Sequence, residues 1–188
     1  MALPRRARVF TPQEYLTLER NAEYKSEYVS GEIFAMAGAS RAHGTICANL
    51  LSLLWTQLRG SSCQVFGSDL RVAVDPASMY TYPDASVVCG ELVFSDEDNL
   101  LNARVIFEVL SPSTAACDRG EKFDHYRQSS SLTDYVLIAQ DEPAIEHRWL
   151  DQGGWLSRKY AGLNAEVRLD SIACTLVLSD VYERLTVS

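Results

Sequence analysis

Val105-Ile106-Phe107-Glu108-Val109-Leu110 decides the reading of this chain: one acid set in an otherwise apolar, mostly β-branched or aromatic run. A short, nearly continuous apolar run is the mark of a central strand covered on both faces, as in a sheet that carries helices. Glu108 then lies inside a buried strand, where a charge is costly unless it is paired or bound to a metal. The plain reading is a salt bridge to an arginine, or a place at the strand's open end. The functional reading is a carboxylate held for chemistry.

Working outward, Tyr82-Pro83-Asp84 opens a second apolar strand, 85–89, with proline at an acceptable first position. Downstream, Asp118 and Glu121 have capping-box spacing and predict a helix over 118–127, which carries Lys122. Another buried strand is expected at 135–139. Segments 144–149 and 155–160 bracket Asp151-Gln152-Gly153-Gly154 as a hairpin, with Trp149 and Trp155 facing each other across it. One or two further strands complete the chain.

Upstream, 63–66 and 70–74 read as short strands. Ser40 starts a long helix through Leu58 with an apolar stripe of Ile46, Leu50, Leu53, Leu54 and Leu58. Glu27 to Phe34 reads as a hairpin turning at Ser30-Gly31. Thr11-Pro12-Gln13-Glu14 combines a cap, a first-turn proline and a capping box. Residues 1–9 are expected to be a flexible tail and 10–188 a single domain. The fold class is α/β: a central mixed sheet flanked by helices, with added β-hairpins.

Composition agrees. The chain has 188 residues, 47% hydrophobic and 22% charged, enough for one domain with a real core. No apolar run reaches the roughly 18 residues of a membrane span. Arg5, Arg6 and Arg8 are not followed by the apolar stretch of a signal peptide. Five cysteines, with no CxxC pair, argue against a zinc site or a disulfide framework; Cys47 and Cys89 read as small core residues. A reducing cytoplasm is the expected location. The net charge of −8 argues against generic nucleic-acid coating. It leaves room for a nuclease, because metal-binding carboxylates themselves add negative charge.

The chemistry rests on three residues. A lone Asp84 would pass as a turn residue. Beside an acid buried in a neighbouring strand, it becomes a metal ligand: two carboxylates supply hard oxygens suited to Mg2+ or Mn2+. The chain has only three lysines, so Lys122 is no default surface filler. Placed near the metal it could stabilise charge on a phosphate in transition; otherwise it is an exposed helix residue.

Pro83-Asp84, then Glu108-Val109-Leu110-Ser111-Pro112-Ser113-Thr114, then Asp118, Lys122 and Tyr126 resemble the Uma2 family of restriction endonucleases, a branch of the PD-(D/E)XK nuclease superfamily. The likeness extends to Glu27 with Gly31-Glu32-Ile33, to His43-Gly44 and to Gly67-Ser68-Asp69-Leu70-Arg71-Val72, and so covers about Phe10 to Val177. It implies a restriction-endonuclease-like core whose metal ligands are Asp84, Glu108 and the backbone carbonyl of Val109. It departs from the superfamily pattern at Leu110, where the lysine usually stands. In this branch that lysine is implied to come from the following helix, as Lys122.

Glu27 resembles a further acid of the site; the bland alternative is an exposed hairpin acid. Glu32 is expected to face solvent. Asp69 either joins the metal cluster or is structural, pairing with Arg71 or capping a turn, and the structural reading is preferred. His43 either touches the site or bonds within the hairpin–helix junction. Asp118 is accounted for by capping, and Tyr126 packs one turn from Lys122. Ser111 to Thr114 lacks the glycines of a nucleophile elbow and reads as a turn. The expected function is metal-dependent cleavage of DNA phosphodiesters by a homodimer. The alternatives are a catalytically silent interaction module on the same fold and a hydrolase of small phosphoesters.

Overall fold

Local signals set the first third of the fold much as expected. The computed structural model describes residues 8–36, 38–75, 78–96 and 98–186. Most of the expected tail, 1–7, lies outside the described residues. Arg8 pairs with Glu14, and the Phe10 N–H donates to the Gly31 carbonyl. Helix α1 (Pro12–Glu19) has its full capping box between Thr11 and Glu14. Strands β1 (Ser26–Val29) and β2 (Glu32–Ala35) are joined by Ser30 and Gly31, with φ of 49° and 97°. Both central residues lie in the left-handed region, as the tight turn of a twisted hairpin requires. Helix α2 (Arg41–Leu58) is capped by Ser40, which accepts the His43 N–H, and it buries Ile46, Leu50, Leu54 and Leu58.

Seven strands come next: β3 (Cys63–Gly67), β4 (Arg71–Asp75), β5 (Met79–Thr81), β6 (Ala85–Cys89), β7 (Phe94–Ser95), β8 (Asn99–Leu100) and β9 (Val105–Leu110). Helix α3 is continuous but not uniform. Its pieces are Ala115–Cys117, a π-helical stretch Asp118–Lys122, and Phe123–Tyr126. Then come β10 (Asp134–Ala139), β11 (Ala144–Asp151), β12 (Gly154–Ala161), β13 (Glu166–Leu169), β14 (Cys174–Val177) and the short helix α4 (Leu178–Val181).

The central sheet runs β12-β11-β10-β9-β6-β3. It is mixed: β9 and β10 pair in parallel, joined by α3 as a crossover, and the remaining pairs are antiparallel. One face of β9 sends Val105, Phe107 and Val109 into a core with α2, α4 and the β13–β14 hairpin. The other face sends Ile106 and Leu110 into a second core with Tyr126 and Tyr135. Glu108 shares that second face, by the two-residue period of a strand. A second six-stranded sheet, β2-β1-β5-β4-β8-β7, contributes to this second core through Val29, Val72, Met79 and Leu100.

The expected central mixed sheet is present, and the added hairpin β1–β2 belongs to a second large sheet, whose very short β5, β7 and β8 carry too little pattern to read. Three expectations are corrected. Asp118 does not cap α3. The helix begins at Thr114 and Ser111, whose hydroxyls and amides bond reciprocally, and Asp118 is buried within it. Trp149 and Trp155 do not face each other: the register pairs Trp149 with Leu156 and Trp155 with Leu150, so the indoles lie on opposite faces. Trp155 instead meets Phe123 edge-on. Finally, Cys63 and Cys89, directly opposite each other on β3 and β6, form a disulfide. Neither strand position was visible as a pair in the sequence. No helix among the described residues is long and apolar enough to cross a membrane.

Candidate active site

Glu108 owes its place to β9, and Asp84 to the turn leading into β6. The register Ala85↔Phe107 places Asp84 opposite Glu108 when continued by one residue. Asp84 Oδ2 accepts the N–H of Val109 at 2.7 Å. In an extended strand the N–H and C=O of one residue point to the same edge. The Val109 carbonyl therefore opens on the Asp84 side, as the expected ligand set requires.

Lys122 reaches the same place from α3. Its Nζ lies 3.0 Å from Glu27 Oε2, 3.4 Å from Asp118 Oδ1 and 3.5 Å from Glu108 Oε1. Lys122 is 8% exposed, so it is not the exposed helix residue of the plain reading; Glu108, 5% exposed, is buried in its strand and paired with this lysine rather than with an arginine. Glu27 on β1 also accepts the Tyr82 N–H at 3.3 Å. Tyr126 donates its hydroxyl to Glu108 Oε1 at 3.2 Å, and that hydroxyl lies 2.7 Å from Thr81 Oγ1. One crossover helix, one hairpin strand and one central strand thus converge on a single point.

Electrostatics follow from this crowding. Burial pushes the Glu108 carboxyl well above its ordinary value; Lys122 opposes this, and Asp118, Asp84 and Glu27 reinforce it. Burial works against the Lys122 ammonium too, but Glu108, Glu27 and Asp118 outweigh it and hold the lysine charged. Tyr126, raised by burial and by Glu108, stays a donor.

Asp84 has a second partner. His43 Nε2 lies 2.8 Å from Asp84 Oδ1, and this bond raises the imidazole pKa against the opposing effect of burial. One turn further along α2, Cys47 brings its sulfur to the same carboxylate: ligand atoms of His43, Cys47 and Asp84 all lie within 4.8 Å of one another.

The donor set fits a hard divalent cation. Four carboxylates (Glu27, Asp84, Glu108, Asp118) face one lysine and one histidine, an excess of negative charge in a nearly dry site. Asp118 Oδ1 is buried without a hydrogen bond; Lys122 stands close enough for an ion pair but outside hydrogen-bond geometry. Asp84, Glu108 and the Val109 carbonyl are the residues that would hold the ion, all through oxygen.

The structure therefore unites Asp84, Glu108, Lys122 and Glu27. Tyr126 joins them through its hydrogen bond to Glu108, and His43 through its bond to Asp84. Asp69 is elsewhere: it is exposed and pairs with Lys25, while Arg71 bonds Asn99, Tyr82 and Asp98. Glu32 is exposed, as expected. Two residues escaped the sequence reading. Asp118 was masked by its capping-box spacing, although its i, i+4 relation to Lys122 was available as a signal. Cys47 was read as core, although it stands four residues after His43 on one helix.

Comparison with known proteins bears on the family and the fold. The family model Uma2, described as "Putative restriction endonuclease", matches residues 12–181. Two proteins of Synechocystis sp., both named as uncharacterized, are similar over most of their length. One (slr1290) is 34% identical over 93% of this chain and 92% of its own. The other (sll1609) is 36% identical over 85% of this chain and 92% of its own. A crystal structure from Anabaena variabilis, described as "a putative nuclease belonging to DUF820", superposes with a TM-score of 0.75 at 21% identity, covering 92% of this chain and 97% of that one. At that identity it shows a shared fold.

Proposed function

The chain belongs to the Uma2 family, and on that footing we propose that it is a divalent-metal-dependent endonuclease hydrolysing DNA phosphodiester bonds. The observation that carries the reading is the gathering of Lys122 Nζ with Glu27, Asp118 and Glu108 at the end of Asp84's strand. A surface lysine would be spared the cost of burial; this one is held by Glu27 and Asp118 beside Glu108, one of the acids that would bind the ion.

A Mg2+ or Mn2+ ion on Asp84, Glu108 and the Val109 carbonyl would supply Lewis-acid chemistry, activating water and neutralising phosphate charge. The protein's own residues do the rest. Lys122 presents a charged donor to the non-bridging phosphate oxygens as negative charge builds in the transition state. Glu27 and Asp118 fix its ammonium, which has three donors and a flexible stem. Tyr126 orients Glu108, and His43 orients Asp84, so both carboxylates are pre-set before substrate arrives. The lysine comes from a helix because only the position of its ammonium matters to the phosphate.

An inward-facing Lys122 favours catalysis over a silent interaction module. Cutting both strands calls for two such sites, so we expect a homodimer as the working unit. The central sheet ends in the edge strands β12 and β3, which offer pairing surfaces.

The test is Mg2+- or Mn2+-dependent cleavage of supercoiled plasmid, with Glu108→Ala and Lys122→Ala alongside. Cleavage by the wild type, lost in both variants, is expected. Wild-type protein that binds metal through Glu108 but leaves DNA intact would move the reading to a small phosphoester or to binding alone.

A further inference from the structure

We propose that His43, Cys47 and Asp84 form a second cation site, selective for a thiophilic divalent ion such as Zn2+, which shares Asp84 with the hydrolytic site and shuts it off when filled. The switching half of this inference rests on Asp84 being a ligand of the hydrolytic ion.

His43 and Cys47 are four residues apart on α2, so their side chains lie one above the other on a single face. Asp84 completes the triangle from the lead-in to β6. Ligand atoms of the three lie within 4.8 Å of one another, and His43 Nε2 and Asp84 Oδ1 are already 2.8 Å apart. Around tetrahedral zinc, bond lengths of about 2.0–2.3 Å set ligand atoms roughly 3.3–3.7 Å apart. Small side-chain rotations therefore suffice to admit the ion.

The supports are stiff. Helix α2 is capped by Ser40 and packed along its length through Ile46, Leu50, Leu54 and Leu58. Asp84 is anchored through its other oxygen, Oδ2, to the Val109 N–H, so Oδ1, which already meets His43, is the oxygen turned toward α2. All three residues are half-buried, which leaves a fourth position open to water.

Ligand chemistry sorts the two ions. A nitrogen, sulfur and oxygen set suits zinc, and the all-oxygen set of Asp84, Glu108 and the Val109 carbonyl suits magnesium or manganese. An ion on Oδ1 neutralises Asp84 and weakens what it can offer on the other side. This is not the CxxC type of site that the cysteine spacing excludes; it needs the helix and the strand to meet.

The experiment uses the whole chain, freed of metal and titrated with Co2+ as a spectroscopic stand-in for Zn2+. One equivalent should give thiolate-to-cobalt absorption and the visible bands of a tetrahedral ion, both displaced by Zn2+. Cys47→Ala should abolish them, and Cys117→Ala, removing an exposed cysteine, should not. Cys47→Ser guards against a folding failure, and slowed modification of Cys47 in the wild type when Zn2+ is present needs no variant at all. No thiolate band, or one unchanged in Cys47→Ala, overturns the site.

The switch is read separately in Mg2+-dependent plasmid cleavage. Zn2+ should inhibit the wild type, and Cys47→Ala should keep basal cleavage while needing at least about tenfold more Zn2+ for the same inhibition, as expected for losing a zinc ligand. Equal inhibition of both overturns the switch. Absence of cleavage under every condition counts against the nuclease reading, while the cobalt spectra still decide the site.

Discussion

Asp84 and Val109 are joined by a hydrogen bond of 2.7 Å from the strand's amide to the carboxylate. It ties the turn before β6 to the end of β9 and fixes the distance between the two acids that matter. Asp84→Asn keeps an acceptor for that amide but loses the charge. The fold should hold to within about 1 kcal/mol. Metal affinity by calorimetry should fall by more than the about 10–100-fold that loss of an outer partner costs, and plasmid cleavage with it.

Among the described residues, Lys122 is the cation within reach of three buried or half-buried carboxylates. Lys122→Met strands them, at a cost of about 3–5 kcal/mol in denaturant unfolding. Added Mg2+ or Ca2+ should restore more stability to this variant than to the wild type. Its cleavage rate should drop by about 10²–10³, the scale of losing one preorganised donor.

Glu108 behaves oppositely. Its charge is held in a buried site that disfavours it. Glu108→Gln should leave the metal-free protein as stable as the wild type at neutral pH, or more so, while abolishing metal binding and cleavage. A less stable metal-free variant would contradict the burial argument.

Asp134, far along the central sheet, gives the pH dependence. Burial pushes its carboxyl up, but His147, Ser171 and Thr133 hydrogen-bond it and together leave it below its ordinary 3.8. A lowered folded pKa contributes stability above the unfolded value, and that stability disappears as pH falls through the folded one. Asp134→Asn should therefore be less stable than the wild type at pH 7, with the gap closing below about pH 4. Urea unfolding across pH 2.5–7 reads this directly.

Gly31 sits at φ 97°, and a Cβ there would come within 2.5 Å of Val9 Cγ1. Gly31→Ala should cost about 1–2 kcal/mol, measured by thermal unfolding. Because β1 carries Glu27, a loss of cleavage should accompany it.

What could be read beforehand tracks signal strength. The caps of α1 and α2, the turn glycine of the first hairpin and the apolar runs of α2, β6, β9 and β10 are local statements, and they appear where expected. Glu108 stood out because it breaks a local rule; Asp84 gained meaning beside it, and Lys122 through the scarcity of lysine in the chain. Asp118 did not, since capping offered a sufficient local reason for it and its burial depends on the tertiary fold. The second sheet was illegible for a related cause: β7 and β8 are two residues each, too short to show a period. The disulfide partners lie 26 residues apart and meet only through strand register.

The π-helical stretch Asp118–Lys122 makes the lysine's aim a matter of counting. Such a turn holds an extra residue relative to an α-helix. Deleting Gly120 would let the segment relax to regular winding, and each residue then lost or gained swings the downstream side chains by about 100°. Every side chain of the site would survive, but Asp118, upstream of the deletion, and Lys122, downstream of it, would lose the i, i+4 spacing that pairs them. In this protein the site's chemistry is stored partly as chain length, so a single-codon deletion that removes no functional group would disarm it as surely as replacing the lysine.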